Sequence, residues 1–130
     1  MTNSEKQIIV CENAPKAVGP YSLGVRSGGF IFLSGQLGLD PATQEFVPGG
    51  IEEQTERALR NISNILETQD LTLENVVKTT VFLRDMSEFS KMNAVYGRFF
   101  KFDPPARSTV EVSGLPKNGL VEIEVIAVMP

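Results

Sequence analysis

An α+β fold, one β-sheet with two helices sharing one of its faces, is what the chain predicts, on three observations. Strand-like and helix-like segments follow in the order β-β-α-β-α-β-β, with a short apolar run ahead of them that reads as an extra N-terminal strand. One helical segment carries an apolar stripe at helical spacing, while the strand segments are rich in β-branched and aromatic residues. Two of the strands, 30–36 and 76–83, are apolar on both faces, the pattern of a sheet buried from both sides. Two helices cover one face only. The other face needs a partner, and a second copy of the chain is the simplest, so the periodicity points to a homo-oligomer whose sheets pack together.

The elements follow in order. The run QIIV at 7–10 is the extra strand, and Asn13-Ala14-Pro15 and Gly19-Pro20 break the chain after it. The segment YSLGVRSGGFIFLSGQ (21–36) reads as a β-hairpin turning at Ser27-Gly28-Gly29, where glycine takes a positive φ at little cost. Its second strand puts Phe30 and Phe32 on one face and Ile31 and Leu33 on the other. Residues 38–50 form a loop rich in turn formers. The clearest helix is 51–69, with Ile51, Thr55, Ala58, Leu59, Ile62, Ile65 and Leu66 in one stripe. Glu52, Glu53 and Glu56 sit in its first turns, where the helix dipole favours negative charge. Glu53–Arg57 and Glu56–Arg60 have the spacing of solvated ion pairs. VVKTTVFL (76–83) is a β-branched strand. Asp85 or Ser87 caps the second helix, which reaches about Phe100, and Asp85 with Glu88 has the spacing of a capping box. Asp103-Pro104-Pro105 then leads into a strand at 107–112, the turn SGLPKNG and the last strand at 120–128.

The 130 residues make one domain, 1–130, large enough to bury a core without staples. A net charge of −4 argues against a nucleic-acid partner, since phosphate contact needs a concentrated positive surface. The single cysteine, Cys11, cannot form an intramolecular disulfide; it suits a reducing compartment and reads as incidental. No stretch approaches the roughly 18 apolar residues of a membrane span, and the N-terminus lacks the pattern of a signal or transit peptide. The chain thus reads as cytoplasmic, with no membrane partner. Without histidine, a zinc site is not expected and neither a Ser-His nor a Cys-His nucleophile can be built. There is no Walker A and no G-x-G-x-x-G. Carboxylates, lysine and tyrosine remain as acids and bases.

Against that background PPARSTVEV (104–112) stands out, with Arg107 behind two prolines and Glu111 on its side of the strand. A guanidinium is a rigid fork that grips a carboxylate at two points. Spacing leaves a second reading open: an arginine paired across the sheet with Glu122 or Glu124, or set at a solvated strand edge. Glu122 and Glu124 share a face of the last strand, either as site carboxylates or as the solvent side of an edge strand. Tyr21, after Gly19-Pro20, has the pattern of a half-buried anchor whose hydroxyl reaches water. Ser34-Gly35-Gln36 ends a strand, where a glycine marks either close approach of a ligand to backbone or a bulge. Asn93 is, on pattern, an ordinary polar position of the second helix.

Together these stretches resemble the reactive intermediate imine deaminase family, also called RidA or YjgF. The resemblance runs nearly end to end, from ENAPKAVGPYS through FLSGQLGLDP and NVVKTTVFLRDMSEFSKMNAVY to PPARSTVEVSGLPKNGLVEIEVIAV. The last stretch, with its Pro-Ala-Arg, Leu-Pro-Lys turn and Ile-Glu strand, is the family's signature. The resemblance implies a chorismate-mutase-like mixed sheet and a homotrimer, with sheets lining a central barrel and clefts between subunits. It implies hydrolysis of 2-iminobutanoate, 2-iminopropanoate or their enamine tautomers to 2-keto acids and ammonia. Such substrates come from pyridoxal-phosphate dehydratases, and the protein itself would need no cofactor and no metal. Arg107 and Glu122 would be catalytic, the first binding the substrate carboxylate and the second positioning or deprotonating the attacking water. Tyr21, Ser34, Gly35, Phe89, Asn93 and Thr109 would contact the substrate together with Arg107.

The chain departs from the family pattern twice. Many relatives carry a cysteine two residues after the arginine, where this chain has Thr109, so a mechanism that needs a thiol fails here. The link FFKFDPPAR (99–107) is a few residues shorter than usual, which would reshape the cleft rim. Two other functions stand beside the deaminase. One is a non-catalytic trimer of the same fold that binds small carboxylates or serves as a regulatory or chaperone-like partner. The other is a ribonuclease, an activity attributed to relatives. The joint presence of Arg107, Glu122, Tyr21 and Gly35 favours the enzyme over the first, and the acidic composition speaks against the second.

Overall fold

A computed structural model describes residues 5–130. The elements are β1 (Gln7–Ile9), β2 (Gly24–Ser27), β3 (Phe30–Leu37), α1 (Ile51–Glu67), β4 (Val76–Leu83), α2 (Phe89–Phe99), β5 (Ala106–Glu111) and β6 (Val121–Val128). The strands form one mixed six-stranded sheet in the order β1-β2-β3-β6-β4-β5. Neighbours are antiparallel except β4 and β5, which are parallel and joined by α2, the crossover a parallel pair requires. The hairpin between β2 and β3 turns on Gly28 and Gly29, with φ of +60° and +82°, as a two-residue loop that matches strand twist. Among the described residues no helix is long and apolar enough to cross a membrane.

Alternation along the strands builds the core. Ile31, Leu33, Val81, Leu83, Val121, Ile123, Val125 and Ala127 are buried on the face that receives the helices. Against them pack Ala58, Leu59, Ile62, Ile65 and Leu66, the α1 stripe, each with no exposed surface. The opposite face stays open, with Phe30, Phe32 and Val110 each more than 40% exposed. The sheet thus carries apolar side chains on both sides, as the pattern of β3 suggests, and in one chain only one side is covered.

One of two open readings is closed and two local expectations are corrected. β6 is not an edge strand: it lies between β3 and β4, so Glu122 and Glu124 stand on the open face of a central strand. Strand order is a tertiary property, and nothing in the composition of β6 distinguishes an edge from an interior place. At the start of α1, Glu53 does not pair with Arg57; its carboxylate accepts from the Gly50 N–H at 2.8 Å. That backbone donor lowers the Glu53 pKa, and the otherwise orphaned N–H is satisfied. Arg57 instead donates to Asn61 Oδ1 at 2.9 Å, while the expected Glu56–Arg60 pair does form at 3.0 Å. Ahead of α2, Asp85 accepts from the Ser87 N–H (2.9 Å) and caps a 3-10 turn over Met86–Glu88 rather than forming a box with Glu88.

The loop at 38–50 is fastened to α1. Asn61, fully buried, donates to the carbonyls of Leu37 (3.2 Å) and Leu39 (2.9 Å). Gln54 accepts from the Leu120 N–H at 2.9 Å, which ties the helix to the start of β6. Gly38 lies so close to the helix that an added Cβ would meet Gln54 Cα at 2.6 Å and its carbonyl oxygen at 2.7 Å. Those contacts are backbone and cannot rotate away. Gly38→Ala is therefore expected to destabilise the protein by about 1–3 kcal/mol in urea unfolding. A change under about 0.5 kcal/mol would show that the loop yields freely.

Candidate active site

The β4–β5 register sets the cationic half of the site. Arg107 lies opposite Thr79 and Thr109 opposite Val81, so both side chains leave the sheet on the helix-facing side. On α2, Phe89, Asn93 and Tyr96 fall on one face of the helix and meet the arginine. Arg107 Nη1 donates to Asn93 Oδ1 at 2.7 Å. The guanidinium carbon sits 5.5 Å from the Phe89 ring centroid and 4.7 Å from that of Tyr96. The Tyr96 hydroxyl and Thr79 Oγ1 share a hydrogen bond of 2.7 Å in the core. Thr109 Oγ1 is enclosed and has no hydrogen-bond partner.

Among the described residues no carboxylate comes within ion-pair distance of Arg107. The cross-sheet pairing with Glu122 or Glu124 is thereby ruled out within one chain. β5 hydrogen-bonds only to β4, and β6 lies beyond β4. Glu111, on the same side of β5, is occupied elsewhere, accepting from the Met86 N–H at 2.7 Å.

The anionic half is built on β3. Its pairing with β6 shifts register between Leu33 and Gln36, leaving Ser34 and Gly35 in a bulge. Ser34 is stitched to the segment ahead of β2: its N–H donates to the Leu23 carbonyl (2.9 Å) and its hydroxyl to that of Ser22 (2.6 Å). This places Tyr21, more than half exposed, beside the bulge along the chain; its N–H donates to the Gly19 carbonyl at 2.9 Å. Of the two sequence readings of Gly35 the bulge is the one found, and the side chain that lies against it is Glu122. A Cβ on Gly35 would run into the Glu122 carboxylate, with its Cδ at 2.7 Å and Cγ at 2.8 Å. Burial raises the Glu122 pKa, and the negative charge of Glu124 raises it further.

The two halves do not meet within one chain. Arg107 is registered with Thr79, and Glu122 with Phe82, three positions along the same strand and so on opposite faces. Phe89 and Asn93 meet Arg107, and Thr109 shares its side of β5; of Tyr21, Ser34 and Gly35, Gly35 meets Glu122, while Ser34 and Tyr21 lie next to it along the bulge and the segment bonded to it. Two residues of the cationic half, Tyr96 and Thr79, are absent from the sequence-based site. By pattern Tyr96 is one of the apolar residues of α2, and a tyrosine one turn beyond Asn93 is the signal that could have found it. Among the described residues no three of His, Cys, Asp and Glu come together in a way that could hold a metal ion.

The class this architecture defines is the chorismate-mutase-like, YjgF-like α+β fold. The crystal structure of TdcF from E. coli with bound serine matches it with a TM-score of 0.91 at 38% identity, covering 95% of this chain and 99% of that one. The family model described as endoribonuclease L-PSP matches residues 11–129. A RutC family protein of Pyrococcus horikoshii is 51% identical over 122 residues, which is 94% of this chain and 97% of the relative. The 2-iminobutanoate/2-iminopropanoate deaminase of Bos taurus is 47% identical over 128 residues, 98% of this chain and 93% of the relative. The chain belongs to this family, the RidA/YjgF family.

The raised Glu122 pKa has a measurable consequence for stability. The folded protein holds a proton on Glu122 that the unfolded chain releases between the ordinary value of about 4.3 and the raised one. The contribution of this group to stability is therefore full below that window and is lost as pH rises through it. Glu122→Gln removes the loss. The variant is expected to melt at or above the wild-type temperature at pH 7, with the difference closing below about pH 4. A wild type that gains stability over the variant as pH rises would mean that the folded state favours the charged carboxylate.

Proposed function

We propose that the protein is a cytoplasmic, cofactor-independent 2-iminobutanoate/2-iminopropanoate deaminase. It hydrolyses reactive imines and enamines released by pyridoxal-phosphate dehydratases to 2-keto acids and ammonia. The observation that carries this reading is the Arg107 fork, held by Asn93 and two rings and, among the described residues, matched by no carboxylate. Such a fork is a receptor for a small carboxylate. The relatives support it: one is named for this activity, and another has been crystallised with serine, itself a carboxylate.

Glu122 meets the second requirement, a base for water. Its raised pKa makes it a better proton acceptor than an ordinary carboxylate. The substrate carboxylate docks on Arg107. Glu122 takes a proton from water as the oxygen bonds to the imine carbon, and the C=N electron pair passes to nitrogen, which receives that proton from Glu122. The carbinolamine hydroxyl then gives its proton through Glu122 to the nitrogen, and ammonia leaves as the C–N bond breaks and the ketone C=O forms. A positioned general base contributes about 10²–10⁴-fold, sufficient for an imine that already hydrolyses slowly in water. No electron enters or leaves, so the reaction calls for no redox cofactor.

Because the halves lie on opposite faces, the reading requires more than one copy. We place the reaction in clefts of a homotrimer, where the cationic half of one subunit faces the anionic half of another. The open face bearing Phe30, Phe32 and Val110 supports this, since apolar surface of that kind is buried between subunits. Thr109 and Phe89 border the fork, and Tyr21 closes the opposite side. The endoribonuclease description of the family fits this chain less well, because a net charge of −4 without histidine offers little to bind or cleave RNA.

The test is keto-acid release from imine generated in situ by threonine dehydratase, with semicarbazide competing. Wild type is expected to accelerate release. Arg107→Ala should abolish the acceleration while the assembly persists in light scattering, because losing the partner of a buried carboxylate costs about 2–5 kcal/mol. Arg107→Lys should also be poor, since a point charge does not replace a fork. Full activity in Arg107→Ala would sink the mechanism. An intact assembly without acceleration in wild type would point to the binding-only function.

A further inference from the structure

We infer that Tyr96, pinned by Thr79, is the positioning residue that fixes the plane of the Arg107 fork and so makes the site selective for a carboxylate over its neutral isosteres. This rests on the reading of Arg107 as the carboxylate receptor. Asn93 fixes one nitrogen of the guanidinium, at 2.7 Å, and one hydrogen bond leaves the plane free to swing about it. A flat ring beneath the group removes that freedom. Tyr96 is the nearer of the two rings, 4.7 Å against 5.5 Å for Phe89, and the better buried.

Tyr96 is itself clamped. Its hydroxyl is bonded to Thr79 at 2.7 Å, and its ring leans on Phe100 with centroids 4.7 Å apart. Thr79 is the register partner of Arg107, so pin and arginine leave adjacent strands at the same level. Stability alone does not call for this pair. A buried hydroxyl pair replaced on both sides by apolar groups of the same shape is nearly neutral. A tyrosine and a threonine where phenylalanine and valine would pack as well therefore point to orientation.

The experiment uses the assembled protein and calorimetric binding of 2-oxobutanoate, with 2-oxobutanamide as the neutral isostere. Wild type is expected to prefer the acid. Tyr96→Leu, which removes the plate, should bind 2-oxobutanoate about tenfold more weakly, with the amide unchanged. The double variant Tyr96→Phe with Thr79→Val keeps the plate, loses the pin and leaves no orphaned hydroxyl. It should melt near wild type and lose about threefold in acid affinity alone. Should Tyr96→Leu fail to fold, the double variant decides. If Arg107→Ala loses the acid preference while the folded Tyr96 variants retain it, this inference is overturned and the reading of Arg107 stands. If Arg107→Ala binds the acid as wild type does, both fall.

Discussion

The site depends on the insertion of β6 between β3 and β4. Those two strands run parallel to each other on either side of it, with α1 between them in sequence. Because β6 enters antiparallel to both, Glu122 is registered with Leu37 on one side and Phe82 on the other. That register delivers its carboxylate over the bulge at Gly35, where only a residue without a Cβ leaves room. The same insertion pushes β5 to the far edge, with β4 as its only neighbour, and keeps Arg107 out of reach of every carboxylate on β6. One topological fact thus creates a half-buried acid without a cation and an arginine without an anion.

What an uncommitted arginine looks like is clearest beside a committed one. Arg60 also lies over a ring, Phe99, at 5.7 Å, yet it binds Glu56 at 3.0 Å on the solvated side of α1. Its charge is neutralised and its geometry left to a flexible pair of exposed side chains, an arrangement of little energetic weight. Arg107 receives no such neutralisation. Its charge rests on two aromatic faces and a neutral amide, partners that hold a cation in place while leaving its bidentate edge to another molecule.

Much of this was legible in the chain because local rules and tertiary outcome agree. The Gly28-Gly29 hairpin, the stripe of α1 and the limits of β4 at 76–83 follow from turn chemistry and periodicity, and the structure has them where those rules put them. The doubly apolar β3 likewise has its apolar side chains on both faces, Ile31 and Leu33 in the core and Phe30 and Phe32 on the open side. The parts that stayed hidden are those decided by distance in space. The interior place of β6, the choice of Glu53 to cap Gly50 rather than pair with Arg57, and the bond between Tyr96 and Thr79 all join partners that several local patterns would equally allow. The family signature named Arg107 and Glu122, but only coordinates show that they leave the sheet in opposite directions.

That separation bears on how the proposed chemistry would be timed. In one chain Glu122 feels burial and the charge of Glu124, and both raise its pKa. In the proposed assembly an arginine from another subunit approaches the same carboxylate, and its opposite charge draws the raised pKa back part of the way. A substrate carboxylate bound to the fork cancels that influence, because the arginine's charge is then met at short range by the ligand. Glu122 thereby regains its affinity for a proton at the moment when a water beside it has an imine carbon to attack. Holding acid and arginine on opposite faces of each subunit, rather than as a permanent pair within one, is what leaves the fork open for the ligand to make that change.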